Sequence, residues 1–169
     1  MEGLSMRKSE IKKYAINYIK AITARGGDGY EEWEEYDNDF CEWCFDKWIE
    51  EQPRVDRKLF RGYKMSKSKF DRYQVGKIIT CEDIYNRTYP SFTTSEMRAV
   101  IYIQDYMVYD DEEVKVLFSV ECKGKYGVDI SKYSYYPEET EHLFAKDASF
   151  EITEIKNKSS LKTIYLREV

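Results

Sequence analysis

The sequence lacks an apolar run long enough to cross a membrane, and its first ten residues lack the apolar core of a signal peptide. We therefore expect a cytoplasmic protein, in the cell that makes it or in a cell that receives it, and no membrane partner. Internal repeats, low-complexity segments and linkers rich in proline and glycine are also missing. The 169 residues are thus expected to form a single domain.

Basic charge and metal ligands are scarce as well. The net charge of -5 disfavours a general nucleic-acid binder, because neutralising phosphates requires clustered lysine and arginine. Of the four cysteines, Cys41 and Cys44 form one close pair, while Cys81 and Cys122 are isolated. A zinc site with four ligands usually needs a second close pair. We therefore interpret the cysteines mainly as buried thiols and expect no metal.

The hydrophobic pattern predicts helices first and strands afterwards. Apolar residues at offsets of three and four predict helices over Ser9–Arg25 and around Phe40–Trp48, so residues 1–52 form a helical part. Residues 57–169 form a β-rich part with a short helix in Ser66–Tyr73, and this order predicts an α+β fold. The predicted strands are Lys58–Tyr63, Lys77–Thr80, Ala99–Ile103, Val114–Val120, Glu141–Phe144, Phe150–Ile155 and Thr163–Glu168.

Three short elements of the β-rich part carry groups that can do chemistry. Arg61 lies inside a predicted strand and Gly62 follows it. Thr93-Thr94-Ser95 is a run of hydroxyls, and Glu139-Thr140-Glu141 places two carboxylates two residues apart. Taken singly, each has an ordinary explanation: a surface arginine, hydroxyl bonds between strands, and an acidic turn.

Together and in this order, the three elements resemble the signature of the arginine-serine-glutamate class of mono-ADP-ribosyltransferases. That class includes many bacterial and phage toxins and the vertebrate ecto-enzymes. The resemblance covers residues 9 to 169, and Glu141–Phe144 followed by Phe150–Ile155 looks like the closing hairpin of that family. It implies an α+β fold in which two facing mixed β-sheets form an NAD cleft, with the N-terminal helices packed against one side. The chain departs from the pattern at Thr93, where serine is usual, although threonine keeps the hydroxyl.

The resemblance also implies a role for each carboxylate. Cleaving the bond between nicotinamide and ribose leaves positive charge on the ribose, and Glu141 is the carboxylate that stabilises this charge. Glu139 orients or deprotonates the acceptor. If the segment is extended, strand alternation places both carboxylates on the same side. The same alternation turns His142 away from them, into the core or the surface.

The remaining site residues are assigned by the same resemblance. Arg61 grips the NAD pyrophosphate with its planar fork of donors, and Gly62 leaves the backbone open to the cofactor. Thr93 hydrogen-bonds Glu141, and Tyr136 touches a protein acceptor. Thr94 and Ser95 brace the strand and are counted among the cofactor-binding residues.

The implied reaction is transfer of ADP-ribose from NAD to an acceptor with release of nicotinamide, without a metal. Arginine on a protein is the favoured acceptor, and a nucleic acid or a small molecule is the alternative. Two other classes stay open: a non-catalytic binding module, and an unrelated acidic adaptor that docks through the helix at residues 38–50. The small size suits a phage-encoded modifier or an intracellular bacterial toxin, which could have an antidote or immunity partner.

Overall fold

A computed structural model describes residues 6–85, 89–105 and 112–169. The chain divides into two compact units. One contains the residues up to Pro53 together with Ile130–Glu138, and the other contains Arg54–Asp129 and Glu139–Val169. Within the described residues, no helix is both long and apolar enough to span a membrane.

The first unit is helical. Its long helix α1 ends where Gly26 adopts a left-handed conformation with φ 81°, which glycine tolerates. Helix α3 begins where the Asn38 side chain accepts a hydrogen bond from the Cys41 amide at 2.9 Å. The elements are α1 (Lys8–Ala24), α2 (Tyr30–Trp33), a 3₁₀ turn (Glu34–Tyr36) and α3 (Asp39–Glu50).

Aromatic side chains contribute to the core of this unit, together with smaller apolar residues. The rings of Tyr18 in α1 and Phe45 in α3 lie 5.6 Å apart between centroids. Trp48 meets Tyr133, from the segment that returns to this unit, edge to face at 5.7 Å. The apolar stripe predicted around Phe40–Trp48 is therefore the buried face of α3.

The second unit contains all eight strands that the structure describes. Its strands are β1 (Lys58–Ser66), β2 (Ile78–Thr80), β3 (Phe92–Thr93), β4 (Glu113–Glu121), β5 (Gly127–Asp129), β6 (Glu141–Phe144), β7 (Ser149–Lys156) and β8 (Leu161–Glu168). Its helices are α4 (Lys67–Phe70), α5 (Cys81–Ile84) and α6 (Glu96–Gln104). The strand order is β2-β7-β8-β4-β1-β3-β6-β5, and only β4 and β8 are parallel.

The strands form one sheet, whereas the sequence analysis expects two facing sheets. The two-residue strand β3 causes the difference because it pairs on both sides. Thr93 is opposite Phe60 of β1 and opposite Glu141 of β6. Hydrogen bonds therefore run without a break from β1 through β3 to β6.

Two sequence predictions about this unit are wrong. Ala99–Ile103 lies in helix α6, which begins where the Ser95 hydroxyl accepts the Arg98 amide at 3.1 Å. Ala99 and Ile103 are its buried residues, four positions apart. The predicted closing hairpin is also absent, because β6 pairs with β3 and β5, whereas β7 pairs with β2 and β8. All four residues of β6 are buried, so the sequence pattern could not indicate its partners.

The core of this unit lies against the same strands. Phe92 of β3 meets Phe144 of β6 edge to face at 5.0 Å, and Phe144 meets Phe150 at 4.9 Å. This packing fixes β3 and β6, which carry two of the three sequence elements. The four cysteines are buried and free, as predicted, and burial raises their pKa: Cys41, Cys44, Cys81 and Cys122.

Candidate active site

Neighbouring strands bring the three sequence elements together. Arg61 lies in β1, Thr93 in β3, and Glu141 at the start of β6. Because Thr93 pairs with Glu141 and β3 also pairs with β1, side chains far apart in sequence converge at this point of the sheet. All of them belong to the β-rich unit.

The carboxylate of Glu141 is buried, with 5% of the residue exposed. The Ser91 hydroxyl donates to Glu141 Oε2 at 2.9 Å. The sequence predicts this contact for Thr93, but the Thr93 hydroxyl lies 3.0 Å from the Thr140 hydroxyl and accepts the Ser95 amide at 3.1 Å. Strand β3 is only two residues long, so the motif alone did not indicate which hydroxyl would reach the carboxylate.

Ser91 also contacts the arginine of the site. Arg61 Nη1 donates to the Ser91 carbonyl oxygen at 2.7 Å. One residue thus accepts from Arg61 through its main chain and donates to Glu141 through its side chain. Sequence reasoning missed Ser91; the available signal was a hydroxyl two positions before Thr93, with Phe92 between them.

The Arg61 guanidinium is packed against aromatic rings. Its Cζ lies 4.5 Å from the ring centroid of Tyr85 and 5.9 Å from that of Tyr63. Burial lowers the pKa of Arg61, while the charge of Glu141 acts in the opposite direction. Arg61 Nε is buried and has no hydrogen-bond acceptor among the residues that the structure describes. A guanidinium with a buried, unused donor suits an anionic ligand such as a pyrophosphate.

The close packing of helix α6 against β1 explains why position 62 is a glycine. A Cβ at Gly62 would lie 2.5 Å from the Ala99 carbonyl oxygen and 2.7 Å from Ile103 Cβ. The missing side chain therefore lets helix α6 approach β1 closely. The family resemblance assigns Gly62 to backbone contacts with NAD, and that role stays a prediction.

Thr94 and Ser95 make bracing contacts. The Thr94 hydroxyl lies 2.8 Å from the Thr140 hydroxyl. Ser95 is the N-cap residue of α6, so its hydroxyl stabilises the N-terminus of this helix. The role that the resemblance assigns to both residues at the NAD site stays a prediction.

The segment that carries the two glutamates is not extended. Glu139 is half-buried and ends a 3₁₀ turn over Pro137–Glu139. Thr140 has a positive φ of 48°, and Glu141 then begins β6. Strand alternation therefore does not relate Glu139 to Glu141, contrary to the sequence argument.

His142 lies in the core behind this segment, with no exposed surface. Its Nδ1 is 2.8 Å from the Thr140 carbonyl oxygen, which can only accept, so Nδ1 carries the proton. Its Nε2 lies 4.0 Å from Asp129 Oδ2. Burial lowers the pKa of His142, against the opposing effects of the Thr140 carbonyl and Asp129.

Tyr136 belongs to the helical unit. Its amide donates to the Ser134 hydroxyl at 3.1 Å, and its ring lies 4.8 Å from that of Tyr135. A Cβ at Gly27 would lie 2.6 Å from the Tyr136 hydroxyl, so this hydroxyl packs against Gly27. Its predicted contact with an acceptor is not tested by these interactions.

Residues 6–85, 89–105 and 112–169 contain no group of three or more His, Cys, Asp or Glu side chains that could hold a metal ion.

Comparison with solved structures identifies the fold. The Vis toxin, an ADP-ribosyltransferase from Vibrio splendidus, matches with a TM-score of 0.66 and 19% identity over 98% of this chain and 77% of Vis. A complex of Vis with agmatine matches with a TM-score of 0.63 and 20% identity over 99% of this chain and 76% of Vis. The ADP-ribosyltransferase HopU1 of Pseudomonas syringae pv. Tomato DC3000 gives 0.62 and 16% over 96% and 82%.

Exoenzyme S from Pseudomonas aeruginosa, in a complex with human 14-3-3 protein beta and carba-NAD, has a TM-score of 0.56 and 16% identity. This match covers 95% of the present chain and 68% of exoenzyme S. Neither a protein-family model nor a curated protein sequence matches the chain. The chain therefore has the ADP-ribosyltransferase fold, as the sequence resemblance predicts.

Proposed function

We propose that this chain is a mono-ADP-ribosyltransferase that cleaves the bond between nicotinamide and ribose in NAD and transfers ADP-ribose to an acceptor. The observation that carries this proposal is the double contact of Ser91, which joins the Arg61 guanidinium to the Glu141 carboxylate. An anion-binding group and a buried carboxylate are thereby held together on a fold shared with ADP-ribosyltransferases.

The chemistry divides between these groups. Arg61 binds the NAD pyrophosphate, because its fork of donors matches phosphate oxygens and its Nε has no acceptor among the described residues. Glu141 lies beside the ribose and stabilises the positive charge that develops as nicotinamide leaves. Since Ser91 already holds one oxygen of Glu141, the carboxylate is oriented before NAD binds.

Glu139 acts on the acceptor. We propose arginine on a protein as that acceptor, because a carboxylate can both hold a guanidinium and accept its proton. The complex of Vis with agmatine, a compound that ends in a guanidinium, supports this choice by analogy. A nucleic acid or a small molecule is the alternative acceptor.

The test measures two products at once. The purified chain is incubated with NAD and agmatine, and released nicotinamide and ADP-ribosyl-agmatine are quantified by mass spectrometry. We expect both products from the natural sequence. Glu141→Gln should abolish both, whereas Glu139→Gln should abolish transfer while slow hydrolysis of NAD continues.

The matched control is Glu138→Gln, which alters an exposed neighbouring carboxylate in the same turn and should change neither product. Absence of nicotinamide release from the folded chain would leave only the two non-catalytic hypotheses, a binding module and an acidic adaptor. Full transfer by Glu139→Gln would remove arginine as the acceptor. Labelling a cell lysate with isotopic NAD then identifies whether protein or nucleic acid is modified.

A toxic role is part of the same proposal, since the Vis toxin shares this fold. Induced expression in bacterial or yeast cells should arrest growth, whereas expression of Glu141→Gln at the same level should not. Equal growth arrest by both proteins would separate toxicity from the proposed reaction.

A further inference from the structure

Thr140, the residue between the two glutamates, has an unusual backbone conformation. Its φ of 48° lies in the left-handed region, and no other non-glycine residue in the described part of the chain has a positive φ. A β-branched side chain disfavours this region. Such a conformation persists only when its surroundings hold it, and residues of this kind concentrate at functional sites.

Hydrogen bonds made by the Thr140 hydroxyl stabilise this backbone conformation. Thr140 Oγ1 lies 2.8 Å from the Thr94 hydroxyl and 3.0 Å from the Thr93 hydroxyl. It also accepts the Thr94 amide at 3.3 Å. On the other side, the Thr140 carbonyl accepts from His142 Nδ1 at 2.8 Å. The side chain and the main chain of Thr140 are therefore both anchored to neighbouring residues.

The two glutamates depend on Thr140 to different extents. Glu141 is paired with Thr93 in the sheet, and Ser91 holds its carboxylate. Glu139 ends the 3₁₀ turn and lies outside this pairing. The direction of Glu139 relative to Glu141 is consequently set by the backbone angles of Thr140.

We propose that Thr140 is a positioning residue for Glu139. Its hydroxyl contacts with Thr93 and Thr94 hold the left-handed backbone, and this conformation directs the Glu139 carboxylate to the acceptor. Thr140 thereby determines how much ADP-ribose passes to the acceptor and how much passes to water. This inference rests on the proposed function, in which Glu139 serves the acceptor and Glu141 serves NAD.

The test is the ratio of agmatine transfer to NAD hydrolysis in variants of the full chain. Thr140→Val keeps the side-chain shape and removes the hydroxyl, so the ratio should fall by about 10- to 100-fold, the effect of misplacing a reacting group. Nicotinamide release should fall far less, because Glu141 keeps its strand pairing and Ser91. Thr140→Ser keeps the hydroxyl and should retain the ratio of the natural sequence.

A second variant keeps the inference testable if Thr140→Val does not fold. Thr140→Gly accepts a positive φ without strain, yet it also lacks the hydroxyl that holds this conformation, so its ratio should fall as well. Circular dichroism and thermal melting establish that each protein is folded.

An unchanged ratio in a folded Thr140→Val or Thr140→Gly protein would overturn the inference. Equal losses of transfer and nicotinamide release would overturn it too, because they would mean that Thr140 supports the whole site. These results can be distinguished from a wrong assignment of the proposed function, because in that case the unmodified protein would also release no nicotinamide.

Discussion

Glu141 and Glu168 are both buried carboxylates of the β-rich unit, 5% and 3% exposed, but they have different partners. Glu168 accepts main-chain amides of the turn between β4 and β5: Lys123 at 2.6 Å, Lys125 at 3.1 Å and Tyr126 at 3.1 Å. Glu141 accepts the hydroxyl of Ser91. Main-chain amides are fixed and can only donate, whereas a hydroxyl rotates and can donate or accept.

Two carboxylates that are equally buried can thus have different kinds of hydrogen-bond partner, so burial alone does not indicate what a carboxylate does. The carboxylate of Glu168 accepts hydrogen bonds from main-chain amides of one turn, so its charge stabilises the conformation of that turn. Glu141 is held by a side chain that also contacts the cation Arg61, an arrangement suited to a ligand with both positive and negative charge. Substitutions should therefore affect the two glutamates in opposite ways.

The largest expected effect comes from converting each glutamate to glutamine. Glu141→Gln should lower the rate of nicotinamide release by about 100- to 1000-fold, because it removes charge stabilisation from the transition state. Its melting temperature should change little, since the Ser91 hydroxyl can adapt to either end of an amide. Continuous assay of nicotinamide and thermal melting measure both quantities.

Glu168→Gln is the reciprocal control for that prediction. Its amide group would face a main-chain donor, which should cost about 1 to 3 kcal/mol of unfolding free energy, or about 2 to 4 °C of melting temperature for each kcal/mol. Activity per folded molecule should persist. If Glu168→Gln lost activity without losing stability, the distinction between the two carboxylates would fail.

The next effect extends the comparison to two arginines. Arg25 forms a forked pair with Asp37, with Nε–Oδ2 at 2.9 Å and Nη2–Oδ1 at 2.7 Å, whereas Arg61 Nε has no acceptor in the described chain. Arg61→Lys should weaken NAD binding by about 10- to 100-fold, since lysine cannot supply the planar fork.

Arg25→Lys should leave NAD affinity unchanged and cost less than about 1 kcal/mol of stability, because the pair is partly exposed. Titration calorimetry with a non-hydrolysable NAD analogue compares both variants with the natural sequence. Equal affinities for the Arg61→Lys and natural proteins would exclude Arg61 from the NAD site.

A smaller effect on activity is expected from removing the Ser91 hydroxyl, which donates a hydrogen bond to Glu141. Ser91→Ala removes the hydrogen bond to the Glu141 carboxylate and should lower the turnover rate by about tenfold, the value of one hydrogen bond to a charged group. Thr93→Ser should be nearly neutral. Ser68→Ala, at an exposed position, is the control. A normal turnover rate for Ser91→Ala would mean that other contacts orient Glu141.

The smallest effect concerns the pH dependence of stability. Burial lowers the pKa of His142 in the folded state, so the unfolded chain binds a proton at a higher pH than the folded chain. Its contribution to stability is full above about pH 6.5, the ordinary pKa of histidine, and is lost as the pH falls towards the folded value.

Urea unfolding at several pH values between 5 and 8 measures this slope, which cannot exceed about 1.4 kcal/mol per pH unit for one proton. His142→Asn removes the only histidine and should flatten the curve in this range. A slope that is unchanged in the variant would assign the pH dependence to other groups.

Local sequence patterns predicted most helices and strands, but they gave the wrong secondary structure where long-range packing selects between helix and strand. Strict spacing identified α1, α3 and the long strands β1, β4, β7 and β8. Ala99–Ile103 was misassigned as a strand because a short apolar run fits both periods, and the Ser95 cap together with the close approach of α6 to Gly62 selected the helix.

For the site, residue identity alone establishes the chemical groups and their order: an arginine in a strand, a run of hydroxyls and a pair of glutamates. These are fixed by residue identity and by local hydrophobic spacing, so the resemblance could be read from them. The contacts of Ser91 with Arg61 and Glu141, and the left-handed turn at Thr140 between the glutamates, arise from the folded arrangement of the strands. These contacts join segments 30 to 50 residues apart, and no local pattern encodes the strand register that brings them together.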